Sequence, residues 1–281
     1  MQEKNKQQNR LLDTSSDKNV VNWHELLNLQ TDIFLPFEIG LLYHTYDWEA
    51  STSILDIGCG NGYFTKQLSD QFPEKQFTGI DVSSELIKTA QEHNASSRIT
   101  YKQDDLFKFE TIEPYEVIVM RLIVQHLGDF KKILDRAHDL LVPGGSLIIL
   151  DADHHKMFNF PKLPKFYSLL DELESLSQRN NTNRCLTHRW DEMINMSKGW
   201  SLVEQQDLDI PIIHAGMNKN VLRIYELWLD IIESANEVSI NFDEIRSEIV
   251  AWSKEPNSFA QFGLYFMHIV KNDQNRHVVY V

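Results

Sequence analysis

The stretch Ile54-Leu55-Asp56-Ile57-Gly58-Cys59-Gly60-Asn61-Gly62 constrains this chain more than any other. Its apolar start suits a buried strand. Glycines at every second position after it let the backbone turn sharply and approach a ligand through conformations that a Cβ forbids. A helix opening from such a turn aims its free N–H groups at whatever lies there. A strand, a glycine turn and a helix in succession therefore predict a small-molecule site at the rim of an α/β sheet.

Two kinds of ligand use a turn of this type, and two details separate them. A dinucleotide fingerprint calls for a third glycine three residues after the second, whereas position 63 is Tyr63 and the spacing is Gly-x-Gly-x-Gly. Asp56 also puts a carboxylate at the strand end, where it repels a pyrophosphate but attracts ammonium and sulfonium groups. Both details favour S-adenosylmethionine over a nicotinamide dinucleotide.

The segments that follow alternate in the manner of a doubly wound sheet. A helix is expected from about Tyr63 to Phe72, stopped by Pro73, and a strand from Gln76 to Ile80 ending in Asp81. Ser84 to His93 reads as a helix with Leu86, Ile87 and Ala90 on one face, and Ile99 to Lys102 as a strand running into Asp104 and Asp105. Tyr115 to Met120 is a continuous apolar run suited to the buried centre of a parallel sheet. Ile133, Leu134, Ala137, Leu140 and Leu141 mark a helix ended by Pro143-Gly144-Gly145, and Ser146 to Leu150 is a fifth strand. Five strands separated by helices predict right-handed βαβ units, with ligands beyond the carboxyl ends of the strands.

The flanks read differently. Apolar residues at helical spacing from Val20 to Tyr46 predict two helices divided at Pro36. His154 to Gln178 reads as a loop followed by a helix, Leu202 to Ile210 as an edge strand, Leu222 to Ile232 and Phe242 to Trp252 as helices, and Gly263 to Val270 as the last strand. Residues 1–18 are expected to form a disordered tail, 19–50 a helical lid, 51–153 the cofactor-binding core, 154–200 a cap segment with its helix, and 201–281 late edge strands with inserted cap helices at 220–254. The fold class expected is α/β, a doubly wound, mostly parallel seven-stranded Rossmann-like sheet with an N-terminal helical segment and a helical cap insertion.

Composition excludes several alternatives. With 281 residues the chain can bury one large core, and 42% hydrophobic and 24% charged content are those of a soluble protein. No apolar run approaches the roughly 20 residues needed to cross a bilayer, and the first ten residues lack the apolar stretch of a signal peptide. A cytoplasmic location without membrane association is expected. Cys59 and Cys185 are read as reduced thiols. A formal net charge of −14 opposes nucleic-acid binding, no metal is called for, and self-association is compatible with the sequence.

In order along the chain, Leu55 to Gly62, Asp81, Asp105-Leu106, the run Tyr115 to Leu127, and Leu141 to Leu147 resemble the motifs of class I S-adenosylmethionine-dependent methyltransferases, in the branch that acts on small molecules. The resemblance covers about 55 to 151 and, more weakly, the final strand. It implies a bound S-adenosyl-L-methionine, released as S-adenosyl-L-homocysteine. Asp56, Gly58, Cys59 and Gly60 would lie under its methionine part, Asp81 and Val82 at the ribose, and Asp105 and Leu106 at the adenine, with Asp104 one residue early as an alternative. Met120 and Arg121 end the fourth motif. Arg121 either lines the methionine end or pairs with a surface carboxylate. A register often written with two histidines has Gln125 in place of the first and His126 as the second.

Methyl transfer from a sulfonium is an in-line displacement in which the protein mainly supplies alignment and excludes water. A hydroxyl or protonated amine acceptor must also lose a proton, and histidine titrates in the required range. His126 is the leading candidate, followed by His154 and His155. Aromatics gathered outside the core (Trp23, Phe34, Phe37, Tyr43, Phe158, Phe160, Phe166, Tyr225, Trp228, Trp252) suggest a closing cap over a small, apolar or aromatic acceptor. The competing functions are a protein-directed methyltransferase, a non-catalytic S-adenosylmethionine-binding protein and a nicotinamide oxidoreductase.

Overall fold

The computed structural model describes residues 17–179, 199–212 and 218–272, so most of the expected tail and all contacts of Cys185 lie outside the described residues. Strands β1 (Ser53–Ile57), β2 (Gln76–Asp81), β3 (Ile99–Gln103), β4 (Tyr115–Arg121) and β5 (Leu141–Ala152) form the parallel part of one sheet, in the order β3-β2-β1-β4-β5. The order reverses between β1 and β4, which opens a crevice above their carboxyl ends. Last in the chain, β8 (Phe259–Lys271) runs antiparallel against β5, and β7 (Trp200–Ile212) pairs along its other edge.

The sheet has eight strands rather than seven. The extra one is β6 (Phe158–Phe160), within a stretch expected to be loop; it continues the line of β5 and pairs with the first residues of β8. Its three residues are too few for a periodic signal, and β8 supplies the pairing that holds them.

Helices cover both faces. One face packs Ile54, Val117, Val119, Ile148 and Leu150 against Leu42, Trp48, Phe64 and Leu68. The other packs Leu55, Ile57, Ile118, Met120, Leu147 and Ile149 against Phe130, Ile133, Leu134 and Ala137. Alternate residues of the same strands thus serve opposite faces, as strand geometry dictates.

The N-terminal segment departs from expectation. It is one helix, α1 (Asp17–His44), running through Pro36 and followed by the short α2 (Tyr46–Ala50). Proline removes the N–H that would bond the Asp32 carbonyl. Asp32 and Pro36 both lie on the exposed face, while Ile33, Phe34 and Glu38 are buried on either side of the break. Tertiary burial overrides the local breaker.

Around the sheet stand α3 (Tyr63–Gln71), α4 (Ser84–His93) and α5 (Phe130–Leu140). Above its carboxyl rim α6 (Pro164–Arg179), α7 (Asn218–Ala235) and α8 (Phe242–Ser253) share an apolar core with α1 that includes Leu26, Phe34, Phe166, Leu173, Ile224, Tyr225, Ile249 and Phe262. Arg223 on α7 forms a two-pronged ion pair with Glu25 on α1, at 2.7 and 2.6 Å, joining the two elements.

Candidate active site

The glycine turn folds back onto β2, where the N–H groups of Gly58 and Cys59 donate to the Ile80 carbonyl at 2.8 and 3.0 Å. Gly58 and Gly60 have φ of +75° and +55°, in the left-handed region that favours glycine. A Cβ at Gly60 would come within 2.7 Å of Leu27 Cδ1, so α1 lies directly over the turn. Asn61 makes the attachment polar. It is buried, and its Nδ2 stands 2.9 Å from Asn28 Oδ1 and 2.8 Å from His24 Nδ1. Burial, aided by His93, lowers the pKa of His24, which suits a neutral ring accepting at Nδ1.

Two carboxylates follow from the strand ends. Asp56 is buried at 2% exposure and accepts from Thr65 Oγ1 at 2.5 Å; burial raises its pKa to about 6 against the opposing hydrogen bond. Asp81 is half-buried and accepts from Gly60 N at 3.0 Å and Ser83 N at 2.9 Å, so one carboxylate ties the glycine turn to the end of β2. Its pKa is raised by burial, against the pull of those N–H groups.

Beyond β3, Asp104 Oδ1 takes the Asp105 N–H at 2.8 Å, and Asp105 Oδ1 takes the Phe107 N–H at 3.0 Å. Lys108 stands 3.6 Å from Asp105. Both acids reach the same rim, and Leu106 is buried beside them.

These groups line one cavity of about 880 Å³. That is near the top of the roughly 300–1,000 Å³ usual for small-molecule sites, with room for a cofactor and a second molecule. Of the residues expected to meet the cofactor, Asp56, Gly58, Cys59, Gly60, Asp81, Val82, Asp105, Leu106 and Arg121 line it. Met120 does not: it is fully buried in the sheet core, because its side chain alternates to the face packed by α5.

Arg121 lines the cavity and is also ion-paired, but not with a surface carboxylate. Its partner is not at the surface but is Glu38 of α1, fully buried, with Nε 2.8 and 3.0 Å from the two carboxylate oxygens. The guanidinium also reaches Thr31 Oγ1 and the Gln30 carbonyl, each at 3.3 Å, and lies 4.6 Å from the centre of the Phe64 ring. Burial raises the Glu38 pKa while Arg121 opposes the shift. Glu38, Asn28 and His24 carried no motif in the sequence; only packing of α1 over the rim brings them in.

The second half of the cavity is apolar, with Trp23, Phe34, Met157, Leu173, Trp228 and Phe262 in its wall. Gln125 and His126, on a 3-10 turn (Val124–His126) that follows β4, and Asp153 and His154, just beyond β5, also line the cavity. The His154 ring stacks on Trp228 with centroids 6.1 Å apart. His155, expected as a third candidate, is exposed, stands 3.9 Å from Glu174 and does not line the cavity; the tight turn after Asp153 directs consecutive residues to opposite sides. Among the described residues no group of histidine, cysteine or acidic side chains is arranged to hold a metal ion, and no helix is long and apolar enough to cross a membrane.

A known family, described as "Methyltransferase domain", matches residues 49–226, well over half of the chain. The chain belongs to this methyltransferase family. The match takes in strands β1 to β7 and the first part of α7, and ends before β8.

Curated relatives of the methyltransferase include a malonyl-[acyl-carrier protein] O-methyltransferase of Bacillus cereus, 30% identical over 41% of this chain and 43% of that protein. A mitochondrial ubiquinone biosynthesis O-methyltransferase of Homo sapiens is 28% identical over 62% of this chain and 46% of that protein. The chain thus spans under half the length of each. Among solved structures, the plantazolicin methyltransferase BpumL, in complex with a pentazolic desmethylPZN analog and SAH, has a TM-score of 0.54 at 18% identity, covering 94% of both chains. That likeness is one of fold.

Proposed function

We propose that the chain transfers the methyl group of S-adenosyl-L-methionine to an oxygen or nitrogen of a small, apolar or aromatic acceptor. The observation that carries this reading is the single cavity whose two halves differ in chemistry, a rim of glycine backbone and carboxylates against a wall of aromatic and aliphatic side chains. The residues present suit the cofactor. Asp81 offers a carboxylate to the ribose hydroxyls, Asp105 and the Leu106 backbone face the adenine end, and Asp56 gives negative charge near a sulfonium and an ammonium. The bound cofactor supplies an electrophilic methyl group on a positively charged sulfur.

The chain's own contribution is placement and dryness. Apolar walls hold the acceptor against the rim and exclude water, which fixes the line of attack. His126 and His154 both line the cavity, and either could take the proton that a hydroxyl or ammonium group loses. Helix α1, pinned over the glycine turn, acts as the lid, and α6 to α8 as the cap.

The two relatives named above are O-methyltransferases, which supports an oxygen acceptor here, and the aromatic wall agrees with a ring-bearing acceptor. Calorimetric titration with S-adenosylmethionine, S-adenosylhomocysteine and NAD tests the cofactor, with the first two expected to bind and NAD not. Tighter NAD binding would overturn the reading. Loss of turnover in His126→Ala, with cofactor affinity kept, is the outcome expected of a proton acceptor; unchanged turnover at every pH would remove that role.

A further inference from the structure

Asp151, at the end of β5, lies behind the cavity wall rather than in it, and is 3% exposed. It receives three donors: the Gln125 backbone N–H at 3.0 Å on one oxygen, and Gln125 Nε2 at 3.0 Å with the Ala152 N–H at 2.8 Å on the other. An ionised carboxylate can only accept. The amide of Gln125 therefore has one permitted orientation, with its nitrogen toward Asp151 and its carbonyl oxygen turned away. Gln125 lines the cavity, beside His126, and no described residue donates to that oxygen.

We propose that Gln125 is a substrate-binding residue whose carbonyl oxygen accepts a hydrogen bond from the acceptor's O–H or N–H as it docks, before that proton passes to a histidine for methyl transfer, and that Asp151 is the positioning residue that fixes it in this sense. This rests on the methyltransferase reading and narrows it. An acceptor that enters as a donor, a phenol, alcohol or amine, satisfies the oxygen; a carboxylate or an ether leaves it facing a second acceptor or nothing. Arg121, the guanidinium in the cavity wall, is already committed to Glu38, so it is not free to welcome an anion at this position.

The test uses the full chain saturated with S-adenosylhomocysteine, so that no turnover occurs, titrated with naphthol, methoxynaphthalene and naphthoate, three probes of one shape. The native chain is expected to bind naphthol at least about tenfold more tightly than either of the others, the effect of one unmatched polar group. Gln125→Ala should bring naphthol and methoxynaphthalene toward parity with S-adenosylhomocysteine affinity unchanged. Asp151→Asn should do the same by leaving one of the three donors without an acceptor and releasing the amide to turn over. If Asp151→Asn does not fold, Gln125→Ala alone decides. Failure of S-adenosylhomocysteine to bind would overturn the underlying reading. Normal binding of it, with no naphthol preference or with one that survives Gln125→Ala, would overturn the assignment of Gln125 alone.

Discussion

The rim of the sheet and the cap above it line the same cavity but are held together in different ways. At the rim, Gly60, Asp81, Asp56, Thr65 and Ser83 are joined by short polar contacts within a continuous run of βαβ structure. In the cap, Phe166, Tyr225, Trp228 and Phe262 meet through ring contacts between elements far apart in sequence. The difference teaches that a site for a fixed cofactor needs polar groups at fixed backbone positions, whereas an apolar acceptor pocket needs only shape and can be built from many sequences. Helix α1 serves both: it presents Leu27 and Asn28 to the rim and Trp23, Leu26 and Phe34 to the cap.

The sharpest way to break the division is at the contact that crosses it. Glu38→Ala would leave the Arg121 guanidinium buried without its partner, a loss of about 3–5 kcal/mol for buried pairs broken on one side. Chemical denaturation should show that loss, and loss of S-adenosylmethionine binding with it. A stability change below about 1 kcal/mol would mean that α1 is not anchored through this pair.

Asp81→Ala tests the rim alone. Removing a carboxylate that takes two backbone N–H groups and faces the ribose position should weaken cofactor binding by roughly 100-fold, the scale of two charge-assisted hydrogen bonds. Intrinsic binding of naphthol in the cap should change much less. Calorimetry on each ligand separates the two halves, and equal losses in both would dissolve the distinction.

Acidity gives a third probe. Burial raises both Asp56 and Asp151 from the ordinary 3.8 to about 6. The folded chain therefore holds these two protons up to about pH 6, whereas the unfolded chain releases them near pH 4. Stability that they contribute at low pH is lost as pH rises through that window, on the order of 2–3 kcal/mol each. Asp56→Asn should flatten the fall in denaturation midpoint between pH 4 and 6. The same proton opposes a cationic cofactor, so S-adenosylmethionine affinity should drop as pH falls through about 6 in the native chain but not in Asp56→Asn.

The smallest effect belongs to His155. It is exposed and outside the cavity, so His155→Ala should leave turnover and cofactor affinity unchanged and move stability by less than about 0.5 kcal/mol. A large loss of turnover would bring the turn after β5 into the chemistry from the opposite side.

The rim was readable from the sequence because its signals are local. Glycine spacing between 58 and 62 needs no partner to be recognised, and Asp81 and Asp105 each follow a short segment that reads as a strand. The cap was readable only as an excess of aromatics. Strand β6 and the continuity of α1 through Pro36 were not foreseen, since three residues give no period and a proline ordinarily ends a helix. His154 and His155 looked equivalent as neighbours until a 3-10 turn set them on opposite sides.

By itself, then, the sequence determined the parallel sheet, the turn that opens it and the carboxylates at its strand ends, because backbone conformation and strand burial are properties of short segments. Only the tertiary structure decided which polar side chains support the cavity from behind its wall. Glu38 meets Arg121 across 83 positions, Asn28 meets Asn61 across 33, and Asp151 orients Gln125 across 26. Such pairings carry no periodicity, because what selects them is the desolvation of a polar group that must then find a partner.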